Sequence, residues 1–176
     1  MTNHLVGNFI ESAKRVVASV ERIPADPNAL NNALVNATAD FEEVLLSKPD
    51  DIDPQLFELF KTNKKVVTDP TKEQLSKIKA GITDAFCGIA STGSVCVSVT
   101  KNLTSPASML TRKHIVVLKA DTIVPRPSDV FSGNYLEGKG LQRSFSFITG
   151  PSATADMGPL VRGVHGPGQL HIIILE

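Results

Sequence analysis

The sequence predicts an α/β domain with an N-terminal helical cap, and three observations predict it. Through the first ~80 residues the apolar side chains recur mainly at helical spacing. Beyond them, short apolar runs alternate with polar segments bounded by glycine and proline, the pattern of strands joined by helices. One of those runs, residues 114–119, is apolar for four residues together, as in a strand covered on both faces. The 176 residues suit one domain with a sizeable core. No repeat, low-complexity segment or composition shift marks a linker. The expected organisation is a single domain over residues 1–176, mainly helical over 1–62, with the α/β core over 63–176.

Each element has its own signal. Residues 5–22 place Leu5, Phe9, Ile10, Ala13, Val16, Val17 and Val20 at helical spacing, and Pro24 with the turn 25–27 ends that helix. A second helix covers 28–40, with Leu30, Leu34, Val35 and Ala37 inward. The segment 43–47 closes that helix or forms a short strand, the strand being favoured. Pro54 suits the first turn of a helix continuing over 55–60. Val66-Val67 is a short strand, and 72–79 a polar helix with Gly81 as its C-cap. Residues 85–90 and 95–99 form a hairpin with Thr92-Gly93 at its tip. Residues 106–112 form a helical turn, 114–119 a strand, 127–136 a short helix and 137–142 a glycine-bearing loop. The chain closes with a strand (144–149), a hydroxyl-rich loop, a short helix, a His-Gly-Pro turn and a last strand (170–175).

Composition excludes several classes of function. Eighteen Lys and Arg balance eighteen Asp and Glu, so the chain lacks the basic footprint of a nucleic-acid binder. Eight Phe, one Tyr and no Trp leave little for base stacking. No run approaches the ~18 apolar residues of a membrane span. The first twenty residues mix Asn3, His4, Asn8, Glu11, Lys14 and Arg15 into the apolar ones and do not form a signal peptide. The expected compartment is the cytoplasm. The two cysteines, Cys87 and Cys96, flank the hairpin turn. With a two-residue turn they are diagonal neighbours roughly 7 Å apart, beyond the about 4 Å a disulfide needs. Two thiols alone cannot hold an iron–sulfur cluster, and no bound cofactor is expected on this chain.

The segment Thr149-Gly-Pro-Ser-Ala-Thr-Ala-Asp156 is the most informative. A strand running through a hydroxyl-rich loop into a helix is the unit in which open α/β proteins bind anions. Gly150 permits a sharp turn, and Ser152 and Thr154 either cap backbone N–H groups or donate to an anion. Asp156 accepts from a ligand hydroxyl or simply favours the positive end of the helix. Gly158-Pro159 conflicts with a helix starting at Thr154, so the helix can start at Pro159 instead. His165, near that helix's end, is an acid–base candidate or a structural histidine, and His171 is packed or edge-facing. Arg126, pinned between Pro125 and Pro127, is a carboxylate or phosphate partner or a solvated loop residue. No metal-ligand spacing, Gly-x-Ser-x-Gly elbow or P-loop is present, and Gly138-Lys-Gly140 is an isolated glycine pair. The carboxyl ends of neighbouring strands are expected to bring Ser152, Thr154 and the 92–93 tip into one cleft that attracts negative groups.

Taken together, Gly81-Ile-Thr-Asp-Ala-Phe-Cys-Gly-Ile-Ala-Ser-Thr-Gly-Ser94, His114-Ile-Val-Val-Leu118, Ile123-Val-Pro125, Gly150-Pro-Ser-Ala-Thr-Ala-Asp156 and Gly163-Val-His-Gly-Pro167 resemble the LUD domain, and within it the lactate-utilization protein C family. The resemblance covers roughly residues 80–176 in motif order. It implies a mostly parallel sheet with helices on both faces, like ribose-5-phosphate isomerase, glucosamine-6-phosphate deaminase and the CoA transferases. It also implies a non-cluster, accessory component of a system oxidising L-lactate to pyruvate, whose cysteine-rich partner subunits carry the iron–sulfur clusters. The ligand-binding candidates are then Thr92, Gly93, Ser94, Arg126, Gly150, Ser152 and Thr154, with Asp156 and His165 as candidate catalytic groups. Where the family usually has acids, this chain has Ser91 and Gly158, which weakens any transfer of catalytic roles but suits an anion. A stand-alone enzyme or binder of a phosphorylated or CoA-linked metabolite is the alternative, and a ligand-free structural domain a third reading. A homodimer is the general expectation for a soluble chain.

Overall fold

The computed structural model describes residues 2–99, 103–132, 144–156 and 158–176. The expected loop over 137–142, with Gly138-Lys-Gly140, lies outside them, as does the end of the helix expected over 127–136. In chain order the first elements are α1 (Thr2–Arg15), β1 (Ser19–Ile23), α2 (Pro27–Ala37), β2 (Val44–Leu46), α3 (Glu58–Lys61), β3 (Val66–Val67), α4 (Lys72–Lys77) and β4 (Ala80–Ala85). There follow β5 (Cys87–Ile89), β6 (Ser94–Ser98), α5 (Thr104–Met109), β7 (Lys113–Lys119), β8 (Ile123–Val124), α6 (Pro127–Val130), β9 (Phe145–Ile148), β10 (Ala153–Thr154), β11 (Val161–Arg162) and β12 (Gln169–Leu175).

Six strands form a parallel sheet in the order β3–β2–β4–β7–β12–β1. Its centre is apolar on both faces because it is covered on both. Val116 and Leu118 of β7, with Ile172 and Ile174 of β12, pack under Val6, Phe9 and Ala13 of α1. Ile115, Val117, Ile173 and Ile82 point the other way, onto Leu30 and Leu34 of α2 and Phe57 and Phe60 around α3. Burying each such side chain contributes about 1.5–3 kcal/mol, so the two apolar layers fix the sheet. A second sheet, β8–β5–β6–β9, lies on the α1 side, with Val95 and Val97 of β6 entering the same core. The first 62 residues supply the expected helices and also two strands of the main sheet. No described helix is long and apolar enough to cross a membrane.

Local chemistry explains the boundaries. Asp26 caps α2 by accepting from Asn28 N, with Pro27 opening the helix. Lys113 and Lys65 donate to Ala37 O and Thr38 O at its other end, where cations suit the exposed carbonyls. Thr71 and Gln74 form a capping box on α4.

Five expectations are corrected. The first helix stops at Arg15, and residues 19–23 pair with β12 as an edge strand. Val17, at φ 67°, closes α1 in a Schellman arrangement, with Val17 N–H to Lys14 O and Ala18 N–H to Ala13 O. Gly81 is not a C-cap but a β4 residue, and a Cβ there would lie 2.1 Å from the Ala107 carbonyl oxygen of α5. Ala85 ends β4 in the main sheet rather than starting the hairpin. The hairpin pairs Ile89 with Ser94, so its loop has four residues and Cys87 stands directly opposite Cys96. Finally, no helix follows residue 152 among the described residues: residues 153–154 and 161–162 pair as a two-stranded hairpin. Gly158-Pro159 breaks any helical run there, and β9 belongs to the second sheet beside β6, not to the sheet of β12.

Candidate functional site

The pairing of β6 with β9, Val95 opposite Ile148, places the hairpin loop beside the start of the hydroxyl-rich segment. Thr92 Oγ1 lies 2.6 Å from Ser94 Oγ, which lies 2.7 Å from Thr149 Oγ1, so three hydroxyls run in a chain between the two loops. Both loops press on the carboxyl end of α1. A Cβ on Gly93 (φ 66°) would sit 2.2 Å from Ala13 N, and one on Gly150 (φ 68°) 2.3 Å from Val16 O. These glycines admit a helix end, one that presents carbonyls rather than N–H groups.

The 149–152 segment also lines a cavity of about 230 Å³, together with Phe147, Ile148, Ser108, Pro167, Leu170 and His114. The segment is held by Ser152 N–H donating to Pro167 O and by Gly163 N–H donating to Ser152 O. The cavity therefore lies where β9 ends and where β7 and β12 begin.

His114 is the group that sequence reasoning missed. It is completely buried, with Nε2 2.9 Å from Thr83 Oγ1 on the neighbouring strand. Its Nδ1 is the one buried side-chain nitrogen or oxygen among the described residues without a hydrogen-bond partner. Burial lowers its pKa to about 3, so the imidazole is neutral throughout the physiological range. The signal was a polar residue opening a strand covered on both faces, where buried polar groups need partners.

The other expected residues stand apart. Arg126 is the N-cap just before α6, is 72% exposed at its side chain and faces Asp129 at 3.7 Å. Thr154 belongs to the exposed hairpin, and Asp156 and His165 are exposed beside it. His171 ties β12 to the edge strand, bonding Ser19 Oγ at 2.7 Å and Glu21 Oε1 at 2.8 Å. Of the expected set, Gly150 and Ser152 line the cavity, while Thr92 and Ser94 reach it through Thr149. Among the described residues no three His, Cys, Asp or Glu side chains cluster as metal ligands. A second depression, about 350 Å³, lies at the carboxyl ends of β7 and β12 beside Lys119, Asp121 and Leu175, but no unpartnered buried polar atom faces it.

A family model described as the LUD domain matches residues 3–175. The chain belongs to the LUD domain family. Over 115 residues this LUD domain is 32% identical to Lactate utilization protein C of Bacillus subtilis (strain 168), covering 61% of this chain and 48% of that protein. It is 33% identical over 108 residues to Lactate utilization protein C of Halalkalibacterium halodurans, covering 59% and 47%. It is 29% identical over 120 residues to Uncharacterized protein YkgG of Escherichia coli (strain K12), covering 63% and 52%. The chain thus spans about half the length of the curated relatives it matches. Among solved structures, a DUF162 family protein from Deinococcus radiodurans shares the fold, with a TM-score of 0.72 at 20% identity over 100% of this chain and 99% of that one.

Proposed function

We propose that this LUD domain is a non-cluster component of an L-lactate-oxidising iron–sulfur system, and that it serves the system through the His114 cavity. The observation that carries the reading is the family match across residues 3–175, together with relatives named Lactate utilization protein C. Cluster binding falls to cysteine-rich partner subunits working with it in the cytoplasm. Cys87 and Cys96 are buried opposite each other inside the second sheet, and their mutual hydrogen bond and burial push the Cys96 thiol up, away from the thiolate a cluster needs. The alternative, a phosphorylated or CoA-linked ligand, calls for cations that the residues walling this cavity do not supply.

The test is reconstitution. The tagged chain is co-expressed with the cysteine-rich iron–sulfur subunits of the same cell, and pyruvate formation from L-lactate is measured with and without it. Recovery of a stable complex, and oxidation that depends on this chain, are expected. Absence of a complex together with undiminished oxidation when the chain is omitted would overturn the reading.

A further inference from the structure

We propose that the cleft between α1 and the loop after β5 holds a small monocarboxylate, with its carboxylate on the guanidinium of Arg15. The inference adds a second site to the preceding reading, and it rests on that reading for the choice of L-lactate and pyruvate as the acids to test.

Packing builds the cleft. β5 and β8 run parallel and end together, where Ala90 N–H donates to Val124 O and Ser91 N–H to Pro125 O. The loop that follows closes on α1 at Gly93, which lies so near Ala13 that a side chain would not fit. Between helix and loop remains an opening of about 220 Å³. That is the liquid volume of roughly seven waters, ample for an acid of lactate's size.

One cation stands in this opening without an anion. Arg15 Nη2 donates to Ser12 Oγ at 2.8 Å, and Ser12 is only 4% exposed, so the guanidinium rests against the cleft wall. Among the described residues no carboxylate pairs with Arg15; Glu11, one turn earlier on α1, lines the cleft without forming an ion pair with it. A guanidinium carries several N–H donors in a planar fork, and a single hydrogen bond leaves most of them for a carboxylate, its bidentate partner.

The other walls suit the rest of such a molecule. Asn8 Nδ2 lies 3.3 Å from His4 Nε2 and can only donate to it, so the Asn8 amide oxygen remains to accept from a hydroxyl. Leu5, Ala90 and Pro125 supply an apolar side for a methyl group. Glu11 bounds the charge of the ligand. One guanidinium and one carboxylate line the cleft, so a phosphate's second charge would meet repulsion and no further cation. The cleft opens to solvent, where water competes with an ion pair, and the affinity expected is weak.

Nuclear magnetic resonance of the ¹⁵N-labelled full chain tests this. The Arg15 Nε–H signal is followed while sodium chloride is exchanged for sodium L-lactate or pyruvate at constant ionic strength, with neutral lactamide run alongside. At least one of the two acids should shift the signal saturably, half-complete at about 1–10 mM, and bind about tenfold or more tightly than lactamide. Arg15→Gln, read at the Ala90 and Ser91 amides, should abolish the saturation. Ser91→Glu, which offers Arg15 a carboxylate of the chain's own, should weaken it about tenfold or more. No saturable shift with either acid, lactamide as effective as the acids, or undiminished binding in either variant would overturn the proposal. The wild-type comparison of acid with amide decides even where a variant fails to fold. A silent Arg15 beside a recovered complex removes this site alone; saturation without a complex removes the lactate-system reading alone.

Discussion

His114 gives the acid side of the stability profile a slope. Its folded pKa of about 3 lies below the ordinary histidine value of about 6.5. Between these values the unfolded chain binds a proton that the native state refuses, so stability rises with pH and is lost as pH falls from about 6.5 toward 3. For one group the slope is about 1.4 kcal/mol per pH unit. Urea midpoints at pH 7, 6 and 5 should fall more steeply for the wild type than for His114→Gln, and parallel lines would contradict this. Asp84 runs the other way, since burial raises its pKa and stability falls as pH rises from 3.8 through that raised value. It is common to both proteins and cancels in the comparison. Its role lies in the loop it holds: one carboxylate oxygen accepts from Asp50 N (2.9 Å), Asp51 N (2.6 Å) and Ile52 N (3.0 Å). Asp84→Ala leaves three donors without that acceptor and should cost about 2–4 kcal/mol. A change below 1 kcal/mol in chemical denaturation would mean that water replaces the carboxylate. At this scale the sequence was partly legible. Gly150, Ser152 and the 92–94 turn announced themselves by their turn and hydroxyl chemistry, whereas a histidine at the head of an apolar run reads as part of a strand until its neighbour Thr83 is known.

The end of α1 is the element on which the site is built, and it is also where sequence patterning misled. Val16, Val17 and Val20 continue the helical spacing of Phe9 and Ala13, and no glycine marks the stop. The stop is a β-branched residue in the left-handed region, where glycine ordinarily sits and a Cβ costs about 1–2 kcal/mol. Val17 is 52% exposed, so little burial is lost when it is trimmed. Val17→Gly should therefore stabilise the protein by about 0.5–1 kcal/mol, the relief of strain outweighing the extra freedom of an unfolded glycine. A loss of stability in urea would show that the valine side chain contributes packing that outweighs its strain. Gly81 misled for a related reason. A glycine after a polar helix reads as a C-cap, and here its missing side chain lets α5 approach a strand. The runs of β7 and β12 were legible because burial on two faces leaves an unbroken apolar signature.

At the scale of the whole molecule, an all-parallel sheet carries a second, mixed sheet on one face, and the site lies where the two meet. That junction could not be read in advance. Periodicity locates strands but does not say which sheet they join, and β9 pairs with β6 in the second sheet. With no helix after residue 152, the anion-binding unit expected from strand, loop and helix does not form, and a neutral cavity stands beside the same loop. In the proposed function the cavity beside His114 is where the chain would act in lactate oxidation. A Gln side chain reaches to the Nε2 position and can keep the Thr83 bond while it alters this wall of the cavity. The measurement that decides is the rate of L-lactate oxidation by the reconstituted system carrying wild type or His114→Gln, with recovery of the complex followed in parallel. His114→Gln is expected to lower that rate about tenfold or more, equivalent to about 1.4 kcal/mol, in an intact complex. A His114→Gln complex that oxidises lactate at the wild-type rate would contradict it.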